Sequence, residues 1–243
     1  MEIEYIETWE EPQRICVILA HPDDPEFFIG ASIARWVKLG HTVIYCLLTC
    51  GDKGTKDRNL SAHDLCNMRQ IEQINAAKVL GVNEVQFLNY PDGGLFPDLN
   101  LRKAVTRIIR QVKPDIVITC DPQNIFMGDY RINHPDHRAA GQAVIDAVFP
   151  AARDHLYFPE LMTEEKLEPH IVKELWVSLP VNPNVKLDVT EYWDQKIQAI
   201  LQHKSQIADT SELIQRMKSR FSEESTIESP RYIEEFRRVR LQM

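Results

Sequence analysis

Apolar runs of strand length alternate with longer amphipathic stretches over roughly the first 150 residues of the chain. The runs rich in β-branched and apolar residues predict buried strands, and the stretches that follow them predict helices. The predicted strands of this part are 14–19, 42–49, 85–88 and 115–119. The predicted helices are 27–39, 62–80, 99–112 and 135–148. Because strands that alternate with crossover helices run parallel, we expect an α/β fold with a Rossmann-like, mostly parallel sheet flanked by helices.

The pattern after residue 150 is less regular. The predicted elements are strands 172–178 and 185–189 and helices 191–203 and 211–221, whereas 232–241 fits neither period. With 243 residues, of which 44% are hydrophobic, the chain can bury one sizeable core. We therefore expect a single domain over residues 1–243, with its core at about 14–150 and a C-terminal elaboration at about 151–243.

Two polar clusters follow predicted strands one and four. The first, AHPDDPE at residues 20–26, comes directly after strand one. The second, NHPDH at residues 133–137, follows strand four by way of the loop 120–133. In the common strand order 3-2-1-4, the carboxyl ends of strands one and four flank the crevice where open α/β sheets bind ligands. The topology therefore predicts that the two clusters meet.

The spacing within the clusters suits a metal ion. His21 and Asp24 are separated by two residues at a strand-to-helix turn, so both side chains can converge on one ion. Asp23 then points elsewhere and is free for acid–base chemistry. Because proline suits the first position of a helix, we expect His134 just before the fourth helix and His137 in its first turn.

These groups are those of a hydrolase. Two neutral imidazoles and a carboxylate are ligands typical of zinc, and three protein ligands leave a position for water. Zinc lowers the pKa of that water from ~15.7 to about 7, a nearby carboxylate can take its proton, and a protonated imidazole can stabilise an oxyanion. Each cluster alone is equally well explained by hydrogen-bonded histidines and helix-capping carboxylates. The alternative function is a sugar- or nucleotide-binding module without catalysis, although no glycine-rich phosphate loop follows strand one.

The two clusters together resemble those of the zinc-dependent de-N-acetylases of the LmbE/PIG-L type. Less specific matches extend over most of residues 14–206. They are Thr49-x-Gly51-Asp52-x-Gly54, Arg69-x-x-Glu72, Ala76-Ala77-x-x-Leu80-Gly81, Tyr90-Pro91-Asp92 and Lys196 with His203-x-Ser205-Gln206. The sequence departs from the family pattern at Asn133, where glycine is usual, at Pro25 and at Asp52.

The resemblance implies roles for five residues of the clusters. His21, Asp24 and His137 would be the ligands of one zinc ion per chain, with iron, cobalt or manganese as alternative metals. Asp23 would be the general base, and His134 would stabilise the oxyanion or act as the acid. The implied reaction removes an acetyl group from an N-acetylglucosamine-type substrate or conjugate. A homo-oligomer is expected on the same ground, and an inactive member that serves assembly is a third interpretation.

Three further residues are candidate substrate contacts. Arg69 and Glu72 lie three apart on a helix and would by default form an exposed ion pair, but the resemblance favours Arg69 as a contact. Asp92 is either a turn residue or a ligand of sugar hydroxyls. Asp52 is either a solvated loop residue or a polar contact of the pocket. The loop 120–133 could cover the pocket or form a contact between subunits.

Charge, hydropathy and cysteine content indicate which partners and which cellular location to expect. The formal charge of −8 argues against a nucleic-acid partner, and no apolar run approaches the roughly 20 residues that cross a bilayer, so we expect no membrane insertion. The acidic N-terminus is unlike a secretory signal, which predicts a cytoplasmic protein. The five cysteines include no Cys-x-x-Cys pair, and we expect reduced thiols.

Overall fold

Seven strands form one mixed sheet in the part of the chain that the structure, a computed structural model, describes, namely residues 3–223 and 225–241. The strands are β1 Arg14–Leu19, β2 Thr42–Thr49, β3 Glu84–Tyr90, β4 Ile116–Cys120, β5 Glu174–Ser178, β6 Val185–Asp188 and β7 Ile233–Arg240. Their order is β3-β2-β1-β4-β5-β7-β6. All neighbours run parallel except β7, which pairs antiparallel with both β5 and β6.

Seven α-helices connect and cover these strands within the same ranges. They are α1 Asp24–Lys38, α2 Ala62–Val79, α3 Leu99–Val112, α4 Pro135–Asp146, α5 Pro159–Thr163, α6 Trp193–Ile200 and α7 Thr210–Lys218. Local capping fixes several starts: the side chains of Ser61 and Asp98 accept hydrogen bonds from the backbone N–H of Asp64 and Leu101 at α2 and α3. No helix in the described ranges is long and apolar enough to cross a membrane.

The core lies on both faces of the sheet. Along β1 the side chains alternate, so that Val17 packs with α1 and α6 on one face and Ile18 packs with α3 and α4 on the other. Both are fully buried, and burial of each such side chain contributes about 1.5–3 kcal/mol to folding. A strand buried on both faces reads as a continuous apolar run, which is why the central strands were predictable.

The predicted strand order 3-2-1-4 and the mostly parallel α/β architecture are confirmed. The main differences lie at the ends of elements and in the C-terminal part. Helix α1 begins at Asp24 rather than at residue 27, because Pro25 in its first turn already has a helical φ and needs no hydrogen-bond acceptor. The ambiguous segment 232–241 forms β7, and the short α5 was not predicted.

The expectation of reduced thiols is wrong for one pair of cysteines. Cys50 and Cys66 form a disulfide, with their Cα atoms 5.1 Å apart. The pairing arises because the loop after β2 folds back onto α2, which neither the spacing nor the count of cysteines indicates. Cys16, Cys46 and Cys120 are free thiols, as expected, and they are buried, where a thiol behaves as a small apolar side chain.

Candidate metal centre and active site

The first cluster forms a tight turn between β1 and α1. Asp23 lies in the left-handed region at φ 90°, and its backbone N–H donates to Oε1 of Gln73 at 2.8 Å. Gln73 is itself fully buried and donates to both carboxylate oxygens of Glu26. His203 closes the network with Nε2 at 3.1 Å from Glu26. The left-handed turn is therefore held by α2 and by the segment after α6.

This turn and the start of α4 bring three donor groups together. Nδ1 of His21 lies 3.2 Å from Nε2 of His137 and 3.4 Å from Oδ2 of Asp24. Nε2 of His137 lies 3.1 Å from Oδ1 of Asp24. Ligand atoms at about 2.0–2.1 Å from a tetrahedral zinc ion are about 3.3 Å apart. The two histidine nitrogens thus have the separation that such an ion requires, and each of them lies near a different oxygen of Asp24.

Outer contacts leave the converging nitrogens available to a metal. Nε2 of His21 lies 3.2 Å from Oδ1 of Asp92 and 3.3 Å from Oδ2 of Asp136, close enough for the two carboxylates to attract a hydrogen on that nitrogen, although neither contact has hydrogen-bond geometry. Nδ1 of His137 meets Oδ1 of Asn133 at 2.8 Å. With both outer nitrogens protonated, the lone pairs of the two inner nitrogens face each other, an arrangement that a cation between them stabilises.

The charges around His21 also favour a cation. Burial opposes a charged imidazole, but hydrogen bonds to Asp136 and Asp24 outweigh it and raise the pKa of His21 to about 12. Although burial by itself would raise the pKa of Asp24, His137 and His21 hold it well below its usual value. Either a proton or a metal ion between His21, Asp24 and His137 would be stabilised by these charges. Two imidazoles and a carboxylate are ligands that fit a zinc ion.

Two groups of three side chains in the described residues place one ligand atom each within 4.8 Å of the others, and neither group contains Asp24. One combines His21 with His134 and His137, and the other combines His21 with Asp92 and Asp136. In the second group the carboxylates already accept hydrogen bonds from backbone N–H groups, including Gly93 to Asp136 at 2.7 Å. Asp24 also accepts such a bond, at Oδ2 from the backbone N–H of His21 at 2.8 Å, so His21, Asp24 and His137 stay the predicted ligands.

Asp23 directly precedes Asp24 in the turn, and its carboxylate pairs with Arg69. One of its oxygens is 3.3 Å from a terminal nitrogen of Arg69, and 18% of its side chain is exposed. Burial raises the pKa of Asp23 to about 6, with Arg69 opposing the rise. A carboxylate with this pKa is ionised at neutral pH and still basic enough to accept a proton.

His134 caps α4 and lies on the open side of the centre. Its Nδ1 accepts a hydrogen bond from the backbone N–H of Asp136 at 3.2 Å, so in the neutral ring Nε2 carries the hydrogen. Its ring contacts His21 edge-on, with 4.7 Å between the centroids. Loss of hydration, followed by the charge of His21, lowers the pKa of His134. The exposed ring thus offers an N–H donor beside the metal position.

The three predicted substrate contacts lie around the centre with their polar atoms engaged within the protein. Arg69 is buried and donates to the carbonyl oxygens of Gly51 and Pro22 rather than to Glu72. Asp92 accepts a hydrogen bond from the backbone N–H of Lys53 and faces His21. Asp52 accepts one from the backbone N–H of Asp92 at 3.3 Å. Their contact with a substrate stays a prediction.

Sequence reasoning missed several residues that orient the site. Asp136 and Asn133 bind the outer nitrogens of the two histidines, and Gln73 holds the turn at Asp23. Glu72 accepts hydrogen bonds from the backbone N–H and the hydroxyl of Ser205, which ties α2 to the C-terminal part. The position of Asp136 between two ligand-type histidines was the one available signal, because the second nitrogen of a metal-bound histidine commonly meets a carboxylate.

Comparison with known proteins bears on this geometry. The family model described as GlcNAc-PI de-N-acetylase (PIG-L) matches residues 16–148. Diacetylchitobiose deacetylase of Thermococcus kodakarensis is 31% identical over 203 residues, which cover 84% of this chain and 73% of that protein. The chain belongs to the PIG-L family.

Other relatives agree with this assignment. A probable N-acetyl-alpha-D-glucosaminyl L-malate deacetylase 2 of Bacillus anthracis is 25% identical over 206 residues, with 81% of this chain and 82% of that protein covered. The structure of N,N'-diacetylchitobiose deacetylase from Pyrococcus horikoshii superposes with a TM-score of 0.85 at 29% identity, covering 95% of this chain and 85% of that one. As a PIG-L protein the chain is a hydrolase of N-acetyl groups, and the family is metal-dependent.

Proposed function

We propose that this PIG-L protein is a zinc enzyme that removes the acetyl group from an N-acetylglucosamine-type substrate. The observation that carries the proposal is the convergence of His21 and His137, whose inner nitrogens lie 3.2 Å apart and 3.1–3.4 Å from the two oxygens of Asp24, next to the carboxylate of Asp23. The substrate class is supported by the relatives named as deacetylases of diacetylchitobiose and of N-acetylglucosaminyl malate.

His21, Asp24 and His137 would hold the zinc ion. When bound there, zinc supplies Lewis acidity and makes a water molecule a nucleophile near neutral pH. Residues of the chain would transfer the protons and bind the substrate.

Asp23 would take the proton of the attacking water. Its raised pKa, near 6, suits both the uptake of that proton and its later delivery to the departing nitrogen. Arg69 holds the carboxylate in place from the side. The products are acetate and a free amine.

His134 would bind the amide oxygen of the substrate. Because Nδ1 accepts the N–H of Asp136, the hydrogen on Nε2 is the one available to that oxygen as negative charge develops. The lowered pKa of His134 favours this neutral donor over a charged acid. Asp92, Asp52 and Arg69 would shape the sugar pocket around the acetamido group.

The test is metal analysis together with acetate release from a panel of N-acetylglucosamine derivatives. We expect about one zinc per chain, activity that is lost on chelation, and a loss of about 10²–10⁴-fold in rate for Asp23→Asn with the metal retained. The exposed carboxylate of Asp194 on α6 provides the matched control, since Asp194→Asn leaves the site intact.

Other outcomes decide between the remaining interpretations. Bound metal without turnover of any substrate in the panel would favour the sugar- or nucleotide-binding module. If the analysis finds iron, cobalt or manganese in place of zinc, the identity of the proposed metal is wrong, but the proposed roles of the residues are unchanged. The cytoplasmic location and the homo-oligomer stay predictions, and the Cys50–Cys66 disulfide is a feature more common outside the cytosol.

A further inference from the structure

His137 can ligate a metal through Nε2 only if its hydrogen is on Nδ1. In a neutral imidazole one nitrogen carries the hydrogen and the other carries the lone pair, and the hydrogen bond of the outer nitrogen decides which. At His137 that outer contact is Oδ1 of Asn133 at 2.8 Å. Asn133 is 2% exposed, so water does not compete for the contact.

The orientation of the Asn133 amide follows from its second hydrogen bond. The amide nitrogen, Nδ2, donates to the carbonyl oxygen of Asn124 at 2.8 Å. Only the NH₂ group can donate to a carbonyl, so the amide oxygen must face His137. An amide oxygen only accepts, and Nδ1 of His137 must therefore be the donor. The pair leaves the lone pair of Nε2 directed at Asp24 and His21.

The backbone of Asn133 is fixed on both sides. Its N–H donates to the carbonyl oxygen of Ile125 at 2.9 Å, and its own carbonyl accepts from Arg138 at 2.8 Å. These bonds close the hairpin 124–133, in which Phe126 and Ile132 form a bridge. Asn133 is four residues before His137, so the chain entering α4 places the amide oxygen beside Nδ1 of the ring.

We propose that Asn133 is a positioning residue that sets the tautomer and orientation of His137 and thereby the affinity of the centre for its metal. The proposal rests on the proposed function, since it requires His137 to be a ligand. The side chain of Asn133 thus connects the hairpin 124–133 to the proposed metal ligand.

The experiment measures the affinity of the metal-free protein for Co²⁺ by competition with a chromophoric chelator, together with the visible spectrum of the cobalt form. For Asn133→Gly we expect about 10–100-fold weaker binding, the usual effect of losing the partner of a ligating histidine. Asn133→Asp keeps an acceptor oxygen and is expected to bind Co²⁺ more tightly than Asn133→Gly, with the wild-type cobalt spectrum. Thermal unfolding of each metal-free variant reports its folding separately.

Two comparisons separate positioning from general stability. Asn124 lies in the same hairpin, and its side chain donates to the carbonyl oxygen of Leu179. Asn124→Ala removes that bond but keeps the backbone carbonyl of residue 124 that accepts from Asn133. We therefore expect little change in the affinity for Co²⁺. Asn133→Leu has the same branched shape as Asn133→Asp, although it is bulkier, and has no acceptor, so we expect weak binding even if Asn133→Gly does not fold.

Equal affinities for Asn133→Leu and Asn133→Asp would overturn the proposal, as would wild-type affinity in Asn133→Gly. An equal loss in Asn124→Ala would also overturn it, because hairpin stability would then explain the effect. If the wild-type protein binds no Co²⁺, the metal centre itself fails and this inference fails with it. If the wild type binds and Asn133→Gly matches it, only the role of Asn133 is wrong.

Discussion

The guanidinium of Arg69 lies 3.3 Å from the carboxylate of Asp23 and donates to the carbonyl oxygens of Gly51 and Pro22. One side chain from α2 thus connects the turn after β1, the loop after β2 and the proposed general base. Its forked geometry makes all three contacts at once, which a single ammonium group cannot reproduce.

Arg69→Lys is expected to lower kcat/KM while leaving the metal content unchanged. Hydrogen bonds to charged groups contribute about 1.5–3 kcal/mol each, so loss of one from the active geometry predicts a fall of about 10–150-fold. Steady-state kinetics and metal analysis of the variant test this. Arg58→Lys, in the exposed part of the same loop, is the control. Wild-type kinetics in Arg69→Lys would show that the fork has no role.

Gly51→Ala is expected to disturb the contacts of the Arg69 guanidinium by a change in the loop that it binds. Gly51 has φ +68°, and an added Cβ would lie 2.1 Å from a terminal nitrogen of Arg69. A left-handed alanine costs about 1–2 kcal/mol in backbone energy, and the clash must in addition displace the buried guanidinium.

Gly40→Ala is a matched control for this prediction. Gly40 has φ +90° with nothing within 4 Å of an added Cβ, so it carries the backbone cost alone. We expect Gly51→Ala to lose activity and more stability than Gly40→Ala, as measured by denaturant unfolding and kinetics. Equal effects of the two substitutions would show that the close approach of the Arg69 guanidinium to Gly51 does not matter.

The Cys50–Cys66 disulfide predicts a redox-dependent stability. It closes a loop over a sequence separation of 16 residues, for which the chain-entropy account gives about 3 kcal/mol of free energy of unfolding. Urea unfolding with and without a reductant measures it. The double variant Cys50→Ser with Cys66→Ser is expected to have the unfolding transition of the reduced wild type. Addition of the reductant should not change that transition. An unchanged transition in the reduced wild type would contradict the expectation.

The sequence predicted the central part of the fold because each central strand is an apolar run bounded by clear helix signals. It left 232–241 undecided because β7 buries charged residues. Glu234 pairs with Lys196 inside the protein, and Arg238 is likewise buried. These buried charges hide the alternation that marks a strand, and their partners come from distant parts of the chain.

The site divides in the same way. The meeting of the two clusters was predictable because they follow adjacent strands at the switch point, whereas their role as metal ligands stays a prediction. The function of Asn133 depends on the fold of a hairpin, and that of Gln73 on the packing of α2 against the turn at Asp23. The disulfide likewise depends on a loop that returns to α2. Contacts of this kind arise from tertiary structure and leave no local pattern.

Glu7 gives the protein an acid-sensitive contribution to stability. Burial by itself would raise the pKa of its carboxyl, but hydrogen bonds from Arg35 and Trp36 outweigh burial and lower it. A folded pKa below the unfolded value of about 4.3 means that the contribution is present above that pH and is lost as the pH falls through the folded pKa.

We therefore expect Glu7→Gln to be less stable than the wild type at pH 7, with the gap narrowing at acid pH. The measurement is the free energy of unfolding of both proteins from pH 7 to about 3. Glu10→Gln, an exposed position in the same segment, is the control. A gap that stays constant or widens as the pH falls would contradict the assignment.

The most direct test of the metal centre is anomalous diffraction from crystals of the zinc-loaded protein, recorded on both sides of the zinc absorption edge. We expect one peak per chain, bounded by Nδ1 of His21, a carboxylate oxygen of Asp24 and Nε2 of His137, at about 2.0–2.2 Å from each. A peak on the opposite side of His21, between Asp92 and Asp136, or no peak in this crevice, would contradict this expectation.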